Sequence, residues 1–329
     1  MTFSEPGLVR RKASMRPLTR FAWLTLAYNI AVILWGAYVR ATGSGAGCGN
    51  RWPLCNGTVL PLTPQAQTII EFTHRLTSGL AVVLVSALVV WCWRKTEKGD
   101  LARSSSAVAL LLLFNEALLG ALLVLFEHVA QDRSPARVIF LCMHFGNTLL
   151  LLAALALTAQ WLAKGQRRFA LRKNRTEIVL VVLGLLATMC IGTTGSLAAL
   201  GDTLFPATSL QASLIQDFSS PNILLRLRFL HPVAAILGAM YVMWIILRNS
   251  KIRGRPNNQD FALATVLLAQ IGLGILNVVL LAPLWLQITH LFVAELFWLL
   301  VVLASAALLT ACVEGPACDR GHSTHRATE

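Results

Sequence analysis

The sequence predicts an all-α polytopic membrane protein, with eight transmembrane helices arranged as two tandem parallel-repeat four-helix bundles and both termini cytoplasmic. Three observations carry that prediction. Hydrophobic residues make up 56% of the 329 and charged residues only 13%, above and well below the soluble averages respectively. Eight stretches are long enough to cross a bilayer core, which takes about 20 residues of helix. The apolar runs are continuous rather than alternating, which argues against strands, and no open sheet survives in lipid.

The spans are placed near 21–39, 69–93, 105–127, 138–162, 176–197, 224–247, 261–282 and 286–311. Before the first lies a basic segment, residues 1–20, with Arg10, Arg11, Lys12, Arg16 and Arg20. Glu5 and Pro6 speak against a transit peptide, and no small-residue cleavage site follows span one, so it is expected to be retained. Span two opens on Glu71-Phe72-Thr73-His74-Arg75 and is followed by Arg94, Lys95, Lys98 and Arg103. Span three closes on Glu127 and His128. Span four contains His144 and leads into a basic linker, 163–175, with Lys164, Arg167, Arg168, Arg172, Lys173 and Arg175. Span six contains His231 and precedes Arg248, Lys251, Arg253 and Arg255, and span eight contains His290 and precedes a tail, 312–329, with Arg320 and Arg326. The loops on the opposite side hold only Arg40, Arg51, Arg133 and Arg137. By the positive-inside rule both termini are cytoplasmic. The net charge of +13 is therefore a topology signal rather than a nucleic-acid footprint. A bacterial plasma membrane is the expected location.

The halves, 21–162 and 176–311, form a weak internal repeat. Segments two and six share an early histidine, as do segments four and eight. Leu118-Leu119-Gly120 in segment three answers Gly272-Leu273-Gly274 in segment seven, and Thr42-Gly43-Ser44 answers Thr194-Gly195-Ser196. Four spans per copy keep both copies in one orientation, unlike the inverted repeats of many transporters. Cofactors in such bundles sit between facing helices.

Topology places His74, His144, His231 and His290 a few residues inside the outer end of their spans, at about 1.5 Å per residue. A lone membrane histidine reads first as a packed residue bonded to a neighbouring helix. Four at one extracytoplasmic depth in a repeat point instead to axial ligands of two haem irons. Structural zinc prefers four closely spaced ligands, often with cysteine. His128 reads as interfacial, and His322 and His325 as solvated.

Glu71 and His74 share a helix face at i,i+3. Glu71 is either an interfacial charge paired with Arg75, or an acid, base or electrostatic stabiliser beside a haem, with Arg75 free for a propionate. Around His231 the matching positions are Arg228 and Pro232, so the second copy lacks the carboxylate and offers Arg226 and Arg228 to a propionate. One site looks equipped for reaction and the other for holding a cofactor.

Cys48 and Cys55, in Gly47-Cys48-Gly49-Asn50-Arg51-Trp52-Pro53-Leu54-Cys55, are placed for a disulfide on the oxidising side. It is either a structural staple or a redox-active dithiol. Cys92, Cys142, Cys190 and Cys312 fall in apolar spans and Cys318 faces the cytoplasm.

From about residue 20 to 311, these features together resemble the haem A synthase family. The resemblance rests on Glu71-x-x-His74-Arg75, the other three histidines, the cysteine loop, the stretch Tyr38-Val39-Arg40-Ala41-Thr42-Gly43-Ser44-Gly45 and the duplicated eight-span layout. It implies oxidation of a methyl group of haem O to the formyl group of haem A, by successive hydroxylation and loss of water from the geminal diol. His74 and His144 would then bind the substrate haem, His231 and His290 a resident haem b, and Glu71 would take part in the oxidation. Cys48 and Cys55 match loop cysteines that some members carry. A second cysteine pair found in some relatives is absent from 198–223, and proline follows His231. The implied partners are membrane lipid, a haem O synthase, terminal oxidase assembly and an unidentified electron donor, with a homo-oligomer allowed and nucleic acid excluded. The rival readings are a non-enzymatic di-haem b-type electron-transfer protein and a transporter that uses the histidines as proton relays.

Overall fold

The computed structural model describes residues 6–61, 65–165, 174–220 and 222–310. Most of the 163–175 linker, the 312–329 tail, Cys312, Cys318, His322 and His325 lie outside the described residues. Among those described, the chain is all helical, with nine α-helices and one 3-10 turn at Ser44–Ala46. The helices are α1 (Pro6–Ala41), α2 (Ala66–Lys95), α3 (Leu101–Leu125), α4 (Pro135–Lys164), α5 (Arg175–Leu204), α6 (Leu210–Ser219), α7 (Ile223–Arg253), α8 (Asn258–Val279) and α9 (Leu284–Leu309). All but the short α6 are long and apolar enough to cross a membrane, and they match the eight expected spans. The protein is a multi-pass membrane protein.

Local chemistry sets the helix ends. Asp100, Ser134, Asn174 and Asn222 each accept a main-chain N–H of the first turn of α3, α4, α5 and α7, satisfying donors that have no helical partner. Asn257 and Asp260 form a reciprocal capping box at α8. Gly165 and Gly254 end α4 and α7 in the left-handed region, which glycine adopts without a Cβ penalty. Two elements differ from expectation. Helix α1 starts at Pro6 and runs through the basic segment, since Arg and Lys are good helix formers. Helix α6 interrupts the long loop between spans five and six.

The two halves share one core. Leu18, Leu26, Val85, Leu88, Leu152 and Leu155 from α1, α2 and α4 pack in one cluster with Trp298, Leu299 and Val302 of α9. Polar bonds cross the same boundary. The Trp298 indole donates to the Leu149 carbonyl at 2.7 Å. Arg40, at the C-terminal end of α1, donates to the Ala199 carbonyl at 2.6 Å, to Thr203 Oγ1 at 3.0 Å and to Gln287 Oε1 at 3.3 Å. Helix pairs α1–α2, α3–α4, α5–α7 and α8–α9 each make extensive contacts and each hold one of the four histidines; α1 packs as extensively on α4.

Candidate functional site

The N-terminal end of α2 lies under the loop that joins it to α1. Cys48 and Cys55 are joined by a disulfide, and both are fully buried. The loop docks on α2 through the Gly47 carbonyl, which accepts from Thr68 Oγ1 at 2.8 Å. A side chain at Gly47 would collide with the Gln67 carbonyl, since a Cβ there falls 2.4 Å from its oxygen. Glycine permits the close approach.

Glu71 is 3% exposed and lies within this arrangement. Its Oε2 accepts the Cys48 N–H at 2.8 Å. Its Oε1 accepts from Arg75 Nε at 3.1 Å and Nη2 at 2.5 Å, a forked, charge-assisted contact. Arg75 Nη1 then donates to the carbonyls of Arg51 and Leu54 at 2.7 and 2.9 Å. Arg75 therefore ties the carboxylate to the disulfide loop, and a propionate would compete with those bonds.

The histidines occupy one kind of setting four times. His74, His144, His231 and His290 lie six to nine residues into α2, α4, α7 and α9, roughly 9–14 Å along the axis. Each faces a glycine of the preceding span. A Cβ built at Gly36 would fall 2.9 Å from His74 Cε1, and at Gly195 2.9 Å from His231 Cε1. At Gly120 and Gly274 it would fall 3.6 and 3.4 Å from Cε1 of His144 and His290. The first two leave no room for a methyl group; the others place it in ordinary contact. Nδ1 of His74, His144 and His290 is buried and makes no hydrogen bond, while His231 Nδ1 lies 3.4 Å from Thr194 Oγ1. The His231 and His290 rings meet edge-on, centres 6.4 Å apart. Among the described residues no such ring contact joins His74 to His144.

Several polar residues on these helices were not anticipated. Glu116 Oε1 is 3.3 Å from His144 Nδ1, close enough for an ion pair although the angle falls short of a hydrogen bond. Glu116 also accepts from Asn147 Nδ2 at 2.5 Å and from Thr148 Oγ1. Gln270 Nε2 is 3.2 Å from His290 Nε2. Glu295 on α9 is 1% exposed, with neither carboxyl oxygen hydrogen-bonded. Of these, Glu116 and Glu295 stand out in the sequence as carboxylates inside apolar spans, a costly placement.

Arg228 is engaged elsewhere. It donates to Asp217 Oδ1 at 2.7 Å, to Asp202 Oδ1 at 3.1 Å and to Ser213 Oγ at 2.9 Å, binding α6 and α5 to α7. Arg226 is exposed and its Nε donates to the Ser220 carbonyl at 3.2 Å. His128 pairs with Asp132 at 2.9 Å in the outer loop.

No group of three or more His, Cys, Asp or Glu able to hold a bare metal ion occurs among the described residues. The four imidazoles are the candidate ligands, two in each half. Haem iron asks for no more than two axial side chains.

A family model described as cytochrome oxidase assembly protein, COX15-CtaA, matches residues 19–302. A protein of Thermus thermophilus named protoheme IX farnesyltransferase is 44% identical over 315 residues, 94% of this chain and 52% of that protein. The chain thus spans about half the length of that relative. A heme A synthase of Alkalihalophilus pseudofirmus is 40% identical over 128 residues, 39% of this chain and 40% of that one. A heme A synthase of Listeria monocytogenes serotype 4a is 28% identical over 302 residues, 86% of this chain and 93% of that one.

Proposed function

The chain belongs to the cytochrome oxidase assembly protein family, COX15-CtaA, and on that premise we propose that it is a haem A synthase, oxidising a methyl group of haem O to the formyl group of haem A. The observation that carries the proposal is the fourfold histidine setting, with a buried carboxylate, Glu71, one helical turn from only one of the four. An electron carrier would need the histidines but not that asymmetry.

The residues fit a haem. Nδ1 of His74 and of His290 is buried without a partner, and that of His144 faces only Glu116. Glycines let the rings pack against helix backbone. The 6.4 Å between the His231 and His290 ring centres is close to the roughly 6 Å that two imidazoles take on opposite sides of one metal at about 2 Å per metal–nitrogen bond. We assign His231 and His290 to a resident haem b in the second half, and His74 and His144 to the substrate haem in the first. An iron porphyrin supplies the oxidising power for an unactivated methyl carbon that side chains lack.

The chain's own residues do the rest. The histidines would hold the haem. Glu71, with Oε1 on Arg75 and Oε2 on the Cys48 N–H, is an oriented carboxylate that can hold or accept a proton near the reacting edge. The disulfide loop covers it and keeps bulk water away. Arg75 and Arg228 would reach propionates by exchanging bonds they now make to the loop and to Asp202 and Asp217.

We further propose that the halves are tandem copies, that both termini are cytoplasmic, and that the haem sites face the extracytoplasmic side of a bacterial plasma membrane. The family description and the farnesyltransferase name of the Thermus relative support partners in haem O synthesis and terminal oxidase assembly. An electron donor is also required. Co-expression with a haem O synthase, followed by extraction and chromatography of the haems, is the test. Appearance of haem A is expected; unmodified haem alone, with every donor tried, would sink the assignment.

A further inference from the structure

We infer that Glu116 on α3 and Gln270 on α8 occupy one repeated position, a polar partner for the second histidine of each half, and that the exchange of carboxylate for amide makes the two haem sites electronically different. The inference rests on the haem reading above and names residues that reading does not use.

The two positions correspond in sequence and in space. Glu116 precedes Gly120 by four residues, and Gln270 precedes Gly274 by four. An i,i+4 step keeps both residues on one helix face. In α3 that face sets Gly120 against Cε1 of His144 and brings Glu116 Oε1 within 3.3 Å of its Nδ1. In α8 the same face sets Gly274 against Cε1 of His290 and brings Gln270 Nε2 within 3.2 Å of its Nε2. The glycine makes room for the ring, and the polar residue one turn earlier reaches one of its nitrogens.

Their chemistry differs. A carboxylate only accepts, so Glu116 is placed to accept a hydrogen bond from an Nδ1–H of His144, the tautomer that leaves Nε2 as the lone pair an iron requires. Glu116 is itself held, because Asn147 and Thr148, the third and fourth residues after His144, both donate to it. Asn115 donates in turn to Asn147 Oδ1 at 2.8 Å. That network fixes the carboxylate before any ligand arrives. Gln270 meets His290 at Nε2 rather than Nδ1, and the Nδ1 of His290 is buried without a partner, so that nitrogen has no acceptor of the kind Glu116 offers His144. Glu116 is thus a positioning residue that fixes the tautomer of His144 and makes it the stronger electron donor; Gln270 gives His290 no such support.

The test uses the full-length protein, reconstituted with haem, with Glu116→Gln and Gln270→Glu as near-isosteric exchanges. Haem per protein and a redox titration followed by absorbance are recorded, and the second component is assigned by its loss in His290→Ala. Glu116→Gln is expected to move the first-half component to a more positive potential and to weaken haem retention there by roughly tenfold or more, leaving the second component in place. Gln270→Glu is expected to move the second component the other way. If Glu116→Gln does not fold, the Gln270→Glu shift alone decides. Unchanged potentials and occupancy in haem-loaded variants would overturn the inference while leaving the haem reading intact. Failure of the unmodified protein to take up any haem would instead overturn the haem reading.

Discussion

The main-chain N–H of Cys48 donates to Oε2 of Glu71 at 2.8 Å, so the disulfide loop and the membrane carboxylate form one unit. Arg75 closes the circuit by bonding both the carboxylate and the carbonyls of Arg51 and Leu54. The loop is therefore part of the site.

Replacing Glu71 removes the oriented oxygens and keeps the histidines. In Glu71→Gln, haem A formation should fall by roughly a hundredfold or more, the scale of a lost acid–base group, while the b-type absorption spectrum is retained. Chromatography of extracted haems, read beside that spectrum, checks this. Equal loss of both would show that Glu71 supports folding rather than reaction.

The glycine contacts give a graded steric test. Gly36→Ala and Gly195→Ala each push a methyl group to 2.9 Å from a histidine ring, an overpacking that costs about 1–3 kcal/mol. Gly79→Ala meets nothing within 4 Å. The first two should lower haem content, each in its own half, and the third should not. A uniform response across all three would remove any special role for the glycines.

Both sulfurs of the Cys48–Cys55 bond are buried, which denies access to an exchanging thiol. The bond should therefore act as a staple. A double Cys→Ser variant is expected to lose about 2 kcal/mol of stability from a loop this short and still make haem A at reduced temperature. Zero turnover in a variant that melts like the parent would favour the redox reading.

Asp132 lies in the loop between α3 and α4. Burial pushes its carboxyl up, but the Ser134 hydroxyl and N–H and the His128 ring outweigh that and hold it below the usual carboxylate range. A depressed value in the folded state contributes stability that is present above about pH 4 and lost as pH falls through the folded value. Limited proteolysis of this loop should quicken in acid. In Asp132→Asn it should be fast already at neutral pH and show little further change.

The spans, the four histidines, the Glu71-x-x-His74-Arg75 sequence and the cysteine loop are legible in the sequence because each is a local pattern of hydropathy or spacing. Arg228 is legible as a basic residue near His231, but its pairing with Asp217 and Asp202 depends on where α6 folds back. Glu116, Gln270 and Glu295 sit on apolar spans whose rotation about their own axes cannot be read from uniformly hydrophobic neighbours. Only packing shows that Glu116 and Gln270 meet histidines while Glu295 meets no donor. The Gly120 and Gly274 correspondence contained the first two in outline, four residues upstream.

Arg40 sets an order of events. It lies on α1, and its partners lie on α5 and α9, both made after it. A guanidinium with five donors has no final home until Gln287 has been synthesised and its helix inserted. The first half therefore cannot reach its finished form while translation continues, however early its own four spans enter the bilayer. Two fragments divided at the linker would have to find each other before Arg40 could settle. The surroundings of Arg40 are completed only when α9 arrives.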